Sequence, residues 1–173
     1  MQKEIFLVED SYDFRQIVRM IFTRFLPEYK VRFFQGVSEL YNYMILQSDE
    51  NYKGRRPVLI VIDLKMPTIN GLEAVKMLRQ TPSNQVTQWQ TIPVVMLSSM
   101  ANQDEINKCY MAGATSYFVK PVGFEELKQL LTRICHYWVD FNRLAMSDSQ
   151  TRSSSDQHKD QVTAAAPRSN YQQ

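Results

Sequence analysis

The residues of this sequence best suited to chemistry occur at one kind of place, directly after short apolar runs. Glu9 and Asp10 follow "IFLV", Asp63 closes "LIVID", Ser98 and Ser99 follow "PVVML", and Lys120 with Pro121 follows "YFV". Three carboxylates drawn together repel, and at least one takes up a proton unless a cation sits among them. A hard divalent ion resolves that conflict. Mg²⁺ takes a few protein oxygens and keeps water on its other positions, so Asp10 and Asp63 suit direct ligation, with Glu9 helping through water. A lysine ammonium such as that of Lys120 suits pairing with Asp63 and with phosphoryl oxygens carried on it, and the Ser98 hydroxyl can donate one more hydrogen bond. Asp63 is then a nucleophile able to take a phosphoryl group as an acyl phosphate, an attack that requires no general base.

Such a constellation needs a frame that brings four chain segments to one edge. Five apolar runs rich in β-branched and aromatic residues read as strands: Ile5 to Val8, Val31 to Phe34, Val58 to Ile62, Ile92 to Leu97 and Tyr117 to Val119. Helical spacing fills the intervals, with Phe14, Ile17, Val18, Ile21, Phe22 and Phe25 in the first, Leu40, Tyr43 and Met44 in the second, Leu72, Val75 and Leu78 in the third, and Ile106 and Tyr110 in the fourth. Alternating strands and helices demand crossover connections, hence a mostly parallel α/β sheet with helices on both faces. In open sheets of this kind the functional crevice lies beyond the carboxyl ends of the strands, where the polar residues fall. Ser38 is expected to N-cap the second helix, Pro27 to stop the first, and Gly113 to close the fourth in a left-handed conformation. A fifth helix is expected from about Phe124 to Ala145, and from Met146 onward the near absence of large apolar residues implies a disordered tail, giving a folded domain over 1–145 and a tail over 146–173.

The bulk properties exclude several classes. A chain of 173 residues with 44% hydrophobic side chains suits one core, and its formal charge of +2 argues for neither nucleic acid nor an anionic membrane as a partner. No run approaches the roughly 18 apolar residues of a bilayer span, and the opening "MQKEIFLVED" is no secretion signal. Cys109 and Cys135, without metal-ligand spacing, suit packed thiols in a reducing compartment, and the cytoplasm is the expected location. His136 and His158 lack a nucleophile pattern, and Ser98 is not in a GxSxG elbow. Taken singly, Glu9 and Asp10 could be helix-start acids, Asp63 a turn residue and Lys120 a solvated lysine. Their joint placement after the first, third, fourth and fifth strands is what argues for a site.

The segments "LVED", "VIDLKMPTING", "PVVMLSS" and "SYFVKP", in this order, resemble those of a two-component response regulator receiver domain, over roughly Lys3 to Leu144. The resemblance implies a flavodoxin-like (CheY-like) doubly wound sheet of five parallel strands in the order 2-1-3-4-5, and phosphorylation of Asp63 by a sensor or hybrid histidine kinase. It carries over Glu9 and Asp10 as the acidic pair for Mg²⁺, the Lys65 main-chain carbonyl as a further metal ligand, Ser98 as the switch hydroxyl, Tyr117 as its aromatic partner and Lys120 as the phosphoryl-pairing lysine. It also implies a cis Lys120–Pro121 bond. Ser99 departs from the small alanine usual at its position; with Lys65 and Met100 it is expected to modulate the lifetime of the phosphorylated state.

No second folded domain is expected, so output would pass through protein contact, without nucleic acid or membrane. A fifth helix of about 22 residues would span roughly 33 Å against ~17–20 Å for the strands. Its last turns, with Tyr137, Trp138, Phe141 and Leu144, should therefore overhang the sheet and offer a homodimer or partner surface on the face of the fourth and fifth helices. The leading expectation is a stand-alone receiver that catalyses only its own phosphorylation and dephosphorylation. A phosphorelay intermediate serving a histidine phosphotransfer protein needs the same site. An aspartyl-phosphate phosphatase would want an acid two residues after Asp63, where Lys65 stands.

Overall fold

The computed structural model describes residues 3–47, 56–81 and 89–143. Strands β1 (Lys3–Val8), β2 (Tyr29–Phe34), β3 (Leu59–Asp63), β4 (Val94–Ser98) and β5 (Ser116–Val119) alternate with helices α1 (Tyr12–Phe25), α2 (Val37–Gln47), α3 (Gly71–Gln80), α4 (Gln103–Ala112) and α5 (Phe124–Cys135). All strand pairings are parallel and the order is β2-β1-β3-β4-β5, as expected. Alternation along each strand sorts the core into two layers. Phe6, Val8, Ile60, Ile62, Val94 and Met96 pack with Leu40, Met44, Ala74, Val75, Leu78 and Cys109 of α2, α3 and α4. Their neighbours Ile5, Leu7, Leu59, Val61, Val95 and Leu97 pack with Val18, Ile21, Leu127, Leu131 and Ile134 of α1 and α5. Covered on both faces, β3 and β4 are buried at every residue, which is why each reads as an unbroken apolar run.

Helix ends agree with the expectation at two places and differ at two. Helix α1 stops before Pro27, and Gly113 closes α4 at φ 104°, a left-handed conformation that costs a side-chain-bearing residue dearly. Ser38, expected as an N-cap, lies inside α2; that helix starts a residue earlier, and the Glu39 carboxylate accepts from the Gln35 amide instead, at 2.6 Å. Trp89 is fully buried over β1, an interior strand, with its ring 6.0 Å from that of Phe6. Arg79 fixes the approach to β4 and β5, donating to the carbonyls of Gln90, Ile92 and Gly113 at 2.7–2.9 Å.

The fifth helix does not run on as one regular α-helix. It changes at His136 into a π-helical turn, His136–Phe141, closed by the Asn142 amide on the Tyr137 carbonyl at 2.8 Å. Polar contacts at the amino ends of the strands fix this turn. Lys3 donates to the Val139 carbonyl at 2.8 Å and to Asp140 at 2.9 Å, and the buried Tyr29 hydroxyl donates to the other Asp140 oxygen. The π-helical turn is thus tied to β1 and β2. Tyr137 and Phe141 are exposed, as expected, while Trp138 is half-buried and Leu144 and the tail fall outside the described residues. No helix among the described residues is long and apolar enough to cross a membrane.

Asp140→Ala should destabilise the protein by about 1–3 kcal/mol, because it strips the buried Tyr29 hydroxyl of its acceptor. The Tyr29 and Lys3 contacts hold the Asp140 carboxyl below its ordinary pKa. A carboxyl depressed in the fold contributes fully above its unfolded pKa of about 3.9 and loses that contribution as pH falls through the lower folded value. Denaturant titrations should therefore show the gap between wild type and Asp140→Ala present at pH 7 and shrinking below about pH 4; equal stability at pH 7 would contradict the tie.

Candidate functional site

Strands β1, β3, β4 and β5 end at the same edge of the sheet, and their last residues or the loops beyond them supply every polar group of the site. Asp63 is the final residue of β3, paired in register with Leu97, and its carboxylate is almost wholly buried. Glu9 and Asp10 follow Val8, the last residue of β1 in register with either neighbouring strand. Oxygens of Glu9, Asp10 and Asp63 lie within 4.8 Å of one another. Lys120, just past β5, donates to Glu9 Oε2 at 2.6 Å and pairs with Asp63 Oδ1 at 3.1 Å, its ammonium 4.4 Å from the centre of the Phe14 ring.

The three acids are not equivalent. Glu9 uses both oxygens on the protein, Oε1 accepting from the Ser11 amide at 3.1 Å and Oε2 from Lys120. Burial pushes its pKa up, and the Lys120 contact partly reverses that. Asp10 is exposed. An all-oxygen set with one open carboxylate and a buried acid beside it fits a hard divalent cation that keeps several waters, held by Asp10 and Asp63 with Glu9 behind them. The donor set contains no soft ligand.

Two tight spots place Asp63. Gly71 opens α3 with its amide on the Leu64 carbonyl at 3.1 Å, and a Cβ there would lie 2.3 Å from the Asp63 carbonyl oxygen and 2.9 Å from Met96 Cε. Only glycine permits the helix to start so close to the strand end. Thr68, in the loop between them, has φ 71°, a left-handed conformation unfavourable for a β-branched residue.

Ser98 is fully buried, and its Oγ accepts from the Met100 amide at 3.3 Å. The Tyr117 hydroxyl donates to the Met100 carbonyl at 2.8 Å. One peptide unit of Met100 on each side therefore joins the two residues. Ser99 and the Met100 side chain are exposed. The Lys65 ammonium is paired with Glu105 of α4, which raises its pKa, so the long cation reaches toward that helix and not across Asp63. One expectation fails: the Lys120–Pro121 bond is trans, for no cis bond occurs among the described residues. The trans preference of an X–Pro bond is small but real, and the Lys120 amide reaches the Ser98 carbonyl at 2.7 Å with the bond trans.

Two participants escaped the sequence reading. Glu105 gave no signal. Arg15 did, since helical spacing puts this charged residue on the same buried stripe as Val18 and Phe22.

Comparison with known proteins adds the family. The model for the response regulator receiver domain matches residues 5–132. Response regulator Rcp1 of Synechocystis sp. is 27% identical over 80% of this chain and 90% of its own length. Sporulation initiation phosphotransferase F of Bacillus subtilis is 24% identical over 77% of this chain and 94% of its own. Among solved structures, the phosphorylated cyanobacterial phytochrome response regulator RcpA superposes with a TM-score of 0.71 at 26% identity, covering 84% of this chain and all of its own. The Mn²⁺-bound form of Rcp1 gives 0.66 at 26% identity, over 83% and 99%.

Substitutions at the two tight spots should have opposite signs. Gly71→Ala must displace the Asp63 backbone and should cost about 1–3 kcal/mol, whereas Thr68→Gly should add about 1 kcal/mol by removing the left-handed penalty. Urea unfolding measures both; a neutral Gly71→Ala or a destabilised Thr68→Gly would contradict the geometry.

Proposed function

This chain belongs to the response regulator receiver domain family of two-component systems, and from that premise we propose that Asp63 is its phosphoryl acceptor and a sensor or hybrid histidine kinase its donor. The observation that carries the proposal is the shared lysine, with Lys120 touching both Glu9 and Asp63 beside the open carboxylate of Asp10. In the transfer, an Asp63 oxygen forms the new P–O bond while the P–N bond of a phosphohistidine breaks and its electron pair leaves with the imidazole nitrogen. Lys120 neutralises charge on the acceptor and on the phosphoryl oxygens. The implied metal is Mg²⁺, held by Asp10, Asp63 and the Lys65 main-chain carbonyl; it would neutralise the transferring group. Similarity to an Mn²⁺-bound relative supports a divalent site.

Output is proposed to run through Ser98 and Tyr117. A phosphoryl oxygen on Asp63 would draw a hydrogen bond from the Ser98 hydroxyl, whose oxygen accepts from the Met100 amide, and the Met100 backbone that joins Ser98 to Tyr117 passes the reorientation to the face of α4, β5 and α5. Tyr110 and Met111 of α4, Val119 of β5 and Tyr137 in the turn after α5 are exposed, apolar side chains suited to a homodimer or a downstream protein. Ser99, Met100 and Lys65 are proposed to tune the lifetime of the phosphorylated state, and the cytoplasm is the proposed location. The chain's own catalysis is confined to its phosphorylation and dephosphorylation. The likeness to sporulation initiation phosphotransferase F supports a second reading, a phosphorelay intermediate that hands its phosphoryl group to a histidine phosphotransfer protein. A phosphatase is disfavoured, since Lys65 stands where its acid would be and is engaged by Glu105.

Wild-type protein with Mg²⁺ and acetyl phosphate should become phosphorylated, and Asp63→Asn should lose the label by at least about tenfold, or roughly 1.4 kcal/mol in the barrier, while keeping its circular dichroism. Undiminished labelling of Asp63→Asn would remove Asp63 from the proposed role.

A further inference from the structure

We propose that Arg15 is a positioning residue for the divalent-cation site, setting the aim of Glu9 and Asp10 by gripping the backbone that carries them. The inference rests on the receiver reading of the acidic cluster. The ladder of β1 ends at Val8, so the carbonyls of Glu9 and Asp10 point beyond the sheet and need donors from elsewhere. Arg15 supplies both bonds from one nitrogen, Nη1 donating to the Glu9 carbonyl at 2.6 Å and to the Asp10 carbonyl at 2.7 Å. Its side chain is only 8% exposed, although it is a permanently charged group near a helix start.

The first turn of α1 holds Arg15 in place. The Ser11 hydroxyl caps the Phe14 amide at 3.3 Å, and the Arg15 amide bonds the Ser11 carbonyl at 3.1 Å. The same Ser11 donates its own amide to Glu9 Oε1 at 3.1 Å. Glu9, Asp10, Ser11 and Arg15 thus form a closed ring of contacts, from the Glu9 and Asp10 carbonyls to Arg15 Nη1, from the Arg15 amide to the Ser11 carbonyl and from the Ser11 amide to Glu9 Oε1. With both carbonyls turned to Arg15, the two side chains leave the chain with a fixed orientation toward Asp63. Burying a guanidinium on carbonyls costs desolvation without the return of a carboxylate partner, a cost a purely structural role would meet more cheaply with an apolar side chain on the Val18 and Phe22 stripe.

Arg79 provides the control, for it also holds backbone carbonyls with a half-buried guanidinium but in the segments leading into β4 and β5. Mn²⁺ binding followed by electron paramagnetic resonance of the free ion should show Arg15→Met weakening the affinity by about tenfold or more, in the range typical of groups that orient metal ligands. Arg15→Lys, which keeps a donor on a flexible stem, should fall between Arg15→Met and wild type. Arg79→Met should lower the melting temperature while leaving Mn²⁺ affinity within about twofold of wild type, because its contacts lie outside the ligand shell. If Arg15→Met does not fold, Arg15→Lys decides: affinity below that of Arg79→Met supports the proposal, and wild-type affinity overturns it. The proposal is likewise overturned if folded Arg15→Met binds Mn²⁺ as wild type does, or if Arg79→Met loses as much. Failure of wild type itself to bind Mn²⁺ would instead overturn the receiver reading, and this inference with it.

Discussion

Two nearly inaccessible carboxylates, Glu9 and Asp63, share a single lysine at the open edge of a parallel sheet. Removing two like charges from water and setting them beside a third acid is unfavourable, and one ammonium neutralises only part of that charge. The balance shows in Glu9, whose pKa rises with burial despite the Lys120 contact. The site is consequently built to receive more positive charge, then more negative charge. A divalent cation would meet the first demand and, in the proposed function, a phosphoryl group arriving with it would meet the second. Geometry elsewhere in the chain serves to keep this imbalance in place.

The sheet does most of that service. Parallel strands covered on both faces leave nowhere for a charged residue except their ends, so Asp63 can be buried and still face the crevice. Gly71 lets α3 begin against the Asp63 carbonyl, and the strain at Thr68 is absorbed in the intervening loop. At the opposite edge, Lys3, Tyr29 and Asp140 tie the π-helical turn that follows α5 to the first two strands. In the proposed function, output runs from the Met100 backbone that joins Ser98 to Tyr117, and the Lys65–Glu105 pair links the β3–α3 loop to α4.

Periodicity and strand-end placement made the parallel sheet, the two helical layers and the cluster of Glu9, Asp10, Asp63 and Lys120 legible from the sequence, because those features follow from alternation and topology, whereas the strand order came with the family resemblance. Boundaries shifted by one or two residues, as with Asp63, which closes its strand where it was expected just beyond it. The Ser38 cap, the straight fifth helix and the cis Lys120–Pro121 bond were not observed. Each turns on a competing contact or a small energy difference that hydrophobic pattern does not encode: a Glu39 carboxylate that takes the Gln35 amide, an Asp140 carboxylate distant in sequence from its partner Tyr29, and the slight isomer preference of a prolyl bond. Arg15 was visible as a charge on an apolar stripe, but its partners are backbone carbonyls, which no pattern of side chains names.

The central claim is that the acidic pocket makes the residue closing β3 the seat of a metal-dependent acyl phosphate. Its most direct test is to treat the full chain with acetyl phosphate, reduce the product with borohydride and map the resulting homoserine by peptide mass spectrometry. The account predicts homoserine at position 63, appearing with Mg²⁺ and lost when the metal is chelated. Homoserine at another carboxylate, or equal yield at position 63 without a divalent ion, would contradict it.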